Sequence, residues 1–237
     1  MLIEPKIAGA SIVLLGNFNP AIFSPDWFSH RNLINENEIL REDADFLIHP
    51  QIAQFKLDWC QVVAETHRFV VSTSMDPLIR IADLVVRTFA EFLPHTPLQQ
   101  LGVNREVHFP VTSVAIRDAV GRRLAPPDAW GDWAPAIIAN SERKRGGMSS
   151  ITMQQQVFDD ERTGWVAATV QPSKQFKSNV GIFVQINDHY ETTKSNHEDG
   201  SQEIIETLSS KFDSSIKHAE FIIDQVMRLA DECRQSS

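Results

Sequence analysis

The string most suggestive of chemistry is Asn187-Asp188-His189-Tyr190-Glu191, where a carboxylate adjoins an imidazole, the pair that general acid–base catalysis most often uses. It sits at the end of an apolar, alternating segment that reads as a strand. Adjacent strand side chains point to opposite faces, so Asp188 and His189 cannot act on one substrate unless a bulge re-aims one of them. A partner for His189 would then come from another segment, with His108 and Glu106 the nearest candidates if strands 101–109 and 180–190 are neighbours. A pocket between sheet and final helix would take Arg105, His108, His189 and Tyr190 as its polar groups, which defines the alternative function: a small-molecule-binding or hydrolytic domain.

Other chemistries lack their spacing. The eight histidines form no His-x-x-x-His pattern, and a metal site would have to be assembled wholly from distant segments, so none is expected. No Gly-x-Gly-x-x-Gly or Walker loop is present, no cofactor is expected, and the glycines at 146–147 follow a basic run instead of a strand. There is no Gly-x-Ser-x-Gly, Cys60 has no neighbouring basic residue to favour thiolate, and Cys233, although followed by Arg234, lies on the apolar stripe of the last helix. No catalytic residue is therefore assigned, and the reading leans away from an enzyme.

The least ordinary stretch is the Trp- and Pro-rich segment 125–147, which contains Trp130, Trp133, Ile137, Ile138 and the run Arg143-Lys144-Arg145. Long proline-rich connections inside compact domains usually have a use. Tryptophan and arginine are enriched at interface hot spots, and a basic cluster suits an acidic partner. Trp130, Trp133, Arg143, Lys144 and Arg145 are accordingly the expected partner-binding residues, an expectation that fails if the two tryptophans are fully buried within the chain.

These residues need a frame. With 237 residues, 42% hydrophobic and 22% charged, the chain has the composition of one globular domain. A formal charge of −9 opposes phosphate backbones, so nucleic acid is not the expected partner. Two distant cysteines and an N-terminus without a basic n-region fit a cytoplasmic setting, and no apolar run is long enough to span a membrane.

Periodicity supplies the elements. Ala10–Leu15 reads as a strand, and Ser24-Pro25 opens a short helix. Residues 35–45 are acidic and read as a solvated loop. Period-two alternation from Gln54 to Val63 reads as a single strand, followed by a hairpin into a strand at 68–73. Asp76 is placed to cap a helix carrying Leu78, Ile81, Val85, Phe89 and Phe92. After Pro97 the pattern resumes: a strand at 101–109, a short helix capped by Thr112, strands near 148–157, 164–171 and 180–190, and a long helix from Ser201. Its apolar stripe is Ile205, Leu208, Phe212, Ala219, Ile222, Val226, Leu229 and Cys233, interrupted at Ser215. That stripe is also long enough to pair with a second copy.

The two halves, 8–93 and 98–233, thus share the order strand, short helix, strands, long helix. The expected fold is α+β: one curved antiparallel sheet whose long helices cover a single face. By alternation the other face presents Lys56, Asp58, Asn104, Glu106, His108, Gln154, Gln156, Gln185, Asn187 and His189. This element order resembles the duplicated saddle of the TATA-box-binding-protein fold and, more loosely, the helix-grip fold of steroid-transfer proteins. The segments SIVLLGNFNPAIFSPDWF, RFVVST, LGVNREVHF and VQINDHYE resemble a sporadically distributed family of bacterial proteins of similar length. That resemblance implies a bacterial cytoplasmic setting and brings no catalytic residues. The expected function is a non-enzymatic interaction or regulatory component with a protein partner, a second copy being the further candidate.

Overall fold

The first strand, β1 (Ile7–Gly16), extends beyond its apolar run at both ends, and its alternate residues Ala10, Ile12 and Leu14 are buried. The structure, a computed structural model, describes residues 4–39, 46–141, 144–159, 162–176, 180–192 and 200–235. Ser24 caps α1 (Pro25–Ser29) by accepting a hydrogen bond from the Trp27 amide at 3.1 Å, with Pro25 in the first turn.

The alternation from 54 to 63 belongs to two strands, β3 (Ile52–Lys56) and β4 (Gln61–Glu65). They pair antiparallel, with Phe55 opposite Val62. The chain reverses between them, where the Leu57 amide donates to the Cys60 carbonyl at 2.8 Å. The reversal shifts the alternation by one residue, so that Val62 and not Val63 shares the core side with Phe55, and the adjacent apolar pair Val62-Val63 hides the shift in the sequence. A strand not anticipated, β2 (Phe46–His49), pairs with β3. Most of the acidic segment before it lies outside the described residues.

β5 (Arg68–Thr73) forms where expected. The following helix, α2 (Ile79–Arg87), begins later than the Asp76 cap implied. Leu78 stands at its N-cap without a side-chain bond, and Asp76-Pro77 is a cis peptide ahead of it. One π-helical turn, Thr88–Phe92, extends it and carries buried Phe89.

The second half repeats the plan. β6 (Leu98–Pro110) leads to α3 (Val114–Leu124), which Ser113 caps in place of Thr112, its hydroxyl accepting from the Ile116 amide at 3.3 Å. After a 3-10 segment, Pro127–Trp133, come α4 (Ala134–Ile138), β7 (Asn140–Ser141) and β8 (Lys144–Arg145). β9 (Ile151–Asp159), β10 (Arg162–Pro172) and β11 (Gly181–Glu191) form a meander, and α5 (Gln202–Gln235) closes the chain.

All nine long strands join one open antiparallel sheet of order β2-β3-β4-β5-β1-β6-β11-β10-β9. In each half the first strand pairs with the last strand of the meander that follows: β1 with β5, and β6 with β11. The two first strands meet at the sheet centre, Ile12 opposite Val103. The duplication is therefore one of topology as well as order.

The helices cover one face and enclose two core clusters. One is aromatic, built on Phe18, Phe23, Phe28, Phe69 and Phe89 with ring centroids 5.0–6.5 Å apart. The other is aliphatic, between β6, β10, β11 and α3. α5 runs over both. Its buried positions are Ile204, Ile205, Leu208, Phe212, Ser215, Ile216 and Ala219, then Ile223, Met227, Ala230 and Cys233. The anticipated Ile222, Val226 and Leu229 are only partly buried at the margin of the second cluster. Because α5 lays its stripe on the chain's own sheet, that stripe is not available as a seam for a second copy.

Candidate functional site

Arg105, His108, His189 and Tyr190 do not line one pocket. Alternation along β6 turns Arg105 toward the helices and His108 away from them, and along β11 it does the same to Tyr190 and His189. Under α5, Tyr190 Oη donates to Asp188 Oδ2 at 3.1 Å and lies 2.7 Å from Ser215 Oγ. Arg105, 6% exposed, donates from Nη1 to the Gly9 carbonyl at 3.0 Å and stands 3.5 Å from Glu220. These groups form a polar seam where the aromatic and aliphatic clusters meet, and Ser215 interrupts the apolar stripe of α5 because it faces Tyr190.

The open face carries Asn104, Glu106, His108, Gln185, Asn187 and His189 side by side, since Asn104 pairs with Asn187 and Glu106 with Gln185. Gln185 Nε2 donates to Glu106 Oε1 at 2.7 Å. Asp188 and His189 are on opposite faces, as alternation requires. β6 and β11 are neighbours, yet the register places His189 opposite Gly102 and His108 opposite Phe183, at different ends of the ladder. His189 therefore finds no partner in His108 or Glu106. Its ring instead stacks on Trp165 at 3.6 Å between centroids, and its Nε2 is 3.6 Å from Glu191.

His108 is held by its own surroundings. Its Nδ1 is 2.8 Å from Ser173 Oγ, and its ring lies 4.7 Å from that of Phe183. Burial lowers its pKa below the usual histidine value, and Glu106 raises it by a smaller amount. Ser173, Phe183 and Trp165 were not singled out from sequence. Only the strand register brings them to the histidines, and register is not written in periodicity.

A depression of about 450 Å³ opens between the ends of β1, β3 and β5, lined by Ser11, Lys56, Asp58, Trp59, Ser72 and Glu106 among others. Cys60 lies in its wall, but burial pushes the thiol up to about 12, so it stays protonated and unreactive at neutral pH. No group of three or more His, Cys, Asp or Glu side chains among the described residues is arranged to hold a metal ion. This depression and those of about 320 and 210 Å³ are lined by no residue of α5. Among the described residues no helix is long and apolar enough to cross a membrane.

The described part of segment 125–147 is folded and largely exposed. Trp130 is 57% and Trp133 60% exposed, with ring centroids 5.7 Å apart in an edge-on pair, and Ile138 is 47% exposed. A Cβ on Gly146 would meet the Ile137 carbonyl oxygen, a contact within the segment, and one on Gly121 would meet Met148, which brings the two chain ends flanking the segment together beside α3. The first contact brings the end of the basic run against α4. Arg143 itself lies outside the described residues, and Lys144 and Arg145 are placed by their backbone in β8. No protein-family model matches the chain, and no curated protein matches it.

Proposed function

We propose that the protein is a non-enzymatic interaction or regulatory component of a bacterial cytoplasmic system, with the flap around Trp130 and Trp133 as its contact surface. The observation that carries this reading is the exposure of both indoles, held edge-on to each other in a 3-10 segment. Exposed aromatic pairs are unfavourable in water unless a partner covers them, and tryptophan is the residue type most enriched at interface hot spots. The basic residues of β8 next to α4 suit a partner whose apolar cleft has an acidic rim.

A TATA-box-binding-protein-like architecture belongs to the same proposal, supported by the two halves whose first strands pair at the sheet centre. The use of such a saddle on DNA is not part of it, because the chain carries a formal charge of −9 and binding a phosphate backbone requires its neutralisation.

The test is affinity purification of the tagged protein from its host, then titration of the recovered partner in purified form. Replacing both tryptophans with alanine (Trp130→Ala/Trp133→Ala) is expected to weaken the complex by about 30-fold or more, the effect of losing one hot spot of about 2 kcal/mol. An unchanged affinity would place the contact elsewhere.

A further inference from the structure

The duplication is complete in topology but not in strand number. Beyond β1 the sheet continues through β5, β4, β3 and β2, whereas beyond β6 it continues only through β11, β10 and β9. One lane is thus vacant at the β9 edge. That edge is the longer of the two, nine residues against four for β2, which is followed at once by Pro50. Natural edge strands are usually kept short or protected by charge, proline or a bulge. From Ile151 to Val157, β9 has none of these: it reads Ile-Thr-Met-Gln-Gln-Gln-Val, with Met153 68% exposed. Among the described residues only β10 pairs with it.

We propose that the β9 edge is the interface of a two-fold homodimer, in which β9 of a second copy fills the vacant lane antiparallel and joins the two sheets. The central stretch of the strand, Met153 to Val157, is self-complementary about Gln155. With Gln155 on the axis, Gln154 faces Gln156 of the partner subunit and Met153 faces Val157 of the partner subunit. Amide then meets amide on one face, and the exposed methionine is covered by an apolar side chain on the other. Such an isologous contact uses the same patch on both subunits and closes on itself. Neutrality favours this occupant: two chains of formal charge −9 repel, and a strand without charge from Ile151 to Val157 is where they can approach with least added repulsion. The inference is independent of the flap reading.

Light scattering on the full chain at tens of micromolar should give the mass of two chains. Gln154→Lys/Gln156→Lys places like charges opposite each other in two pairs and should weaken the dimer about tenfold, as should Gln154→Glu/Gln156→Glu. Mixing the two variants should restore the two-chain mass, which a folding defect would not do. Gln155→Cys should form an intermolecular disulfide under mild oxidation, because the native cysteines are buried. Trp130→Ala/Trp133→Ala should leave the dimer intact. A wild-type mass of one chain, a dimer insensitive to both charge variants, or open-ended growth in mass would each overturn the proposal.

Discussion

His108 shows how a titratable side chain can look functional and yet be tied to the fold. Its Ser173 contact and Phe183 stack support a neutral ring, and burial holds its pKa below the ordinary 6.5. The unfolded chain therefore binds a proton at a higher pH than the folded one. Stability contributed by the neutral form is fully present above about pH 6.5 and is lost as pH falls from that value toward the lowered folded pKa. His108→Gln should accordingly be less stable than wild type at pH 7.5, and the gap between their melting temperatures should narrow by pH 5.5. A gap that widens on acidification would mean that the imidazolium is the favoured form.

Along α5 the informative contrast is between adjacent isoleucines. Ile223 is fully buried, whereas Ile222 is only partly so. Ile223→Ala should destabilise the protein by roughly 2–5 kcal/mol, as truncation of a buried branched residue does. Ile222→Ala should cost clearly less, and chemical denaturation of the two variants checks the order. The reason lies in the helix repeat: 3.6 residues per turn drifts against a strict three-and-four count, and between Ala219 and Cys233, both buried as anticipated, the buried positions Ile223, Met227 and Ala230 fall one residue later. A serine mid-stripe is a conflict in sequence, and the Tyr190 hydroxyl resolves it.

Taken whole, the protein has two side-chain cores but one continuous sheet and one helix across both. The central pairing of β1 with β6 and the reach of α5 couple the halves. Unfolding should therefore be a single cooperative transition, with aromatic near-ultraviolet and far-ultraviolet signals coinciding. Because the aromatic rings are concentrated in the first cluster, an earlier near-ultraviolet loss would show that the halves unfold separately.

Much of this was legible before any coordinates. The capped helix at Pro25, the strand at 68–73, the duplicated order of elements and the polar character of the open face all follow from local rules: capping chemistry and a side-chain period of two or 3.6. The opposite facing of Asp188 and His189 follows from the same rules, and so does the singling out of Trp130 and Trp133. What local rules do not contain is pairing. The Leu57–Cys60 reversal shifts the alternation by one residue, but the apolar pair Val62-Val63 hides the shift, so two strands read as one. His189 was matched with His108 although the ladder sets it beside Trp165, and Arg105 and Tyr190 were grouped with histidines that the sheet holds on its other face. Register, the vacant lane beside β9 and the exposure of the flap depend on which distant segments meet. Those choices are set by the summed burial and hydrogen bonding of the whole sheet, and no single segment records them.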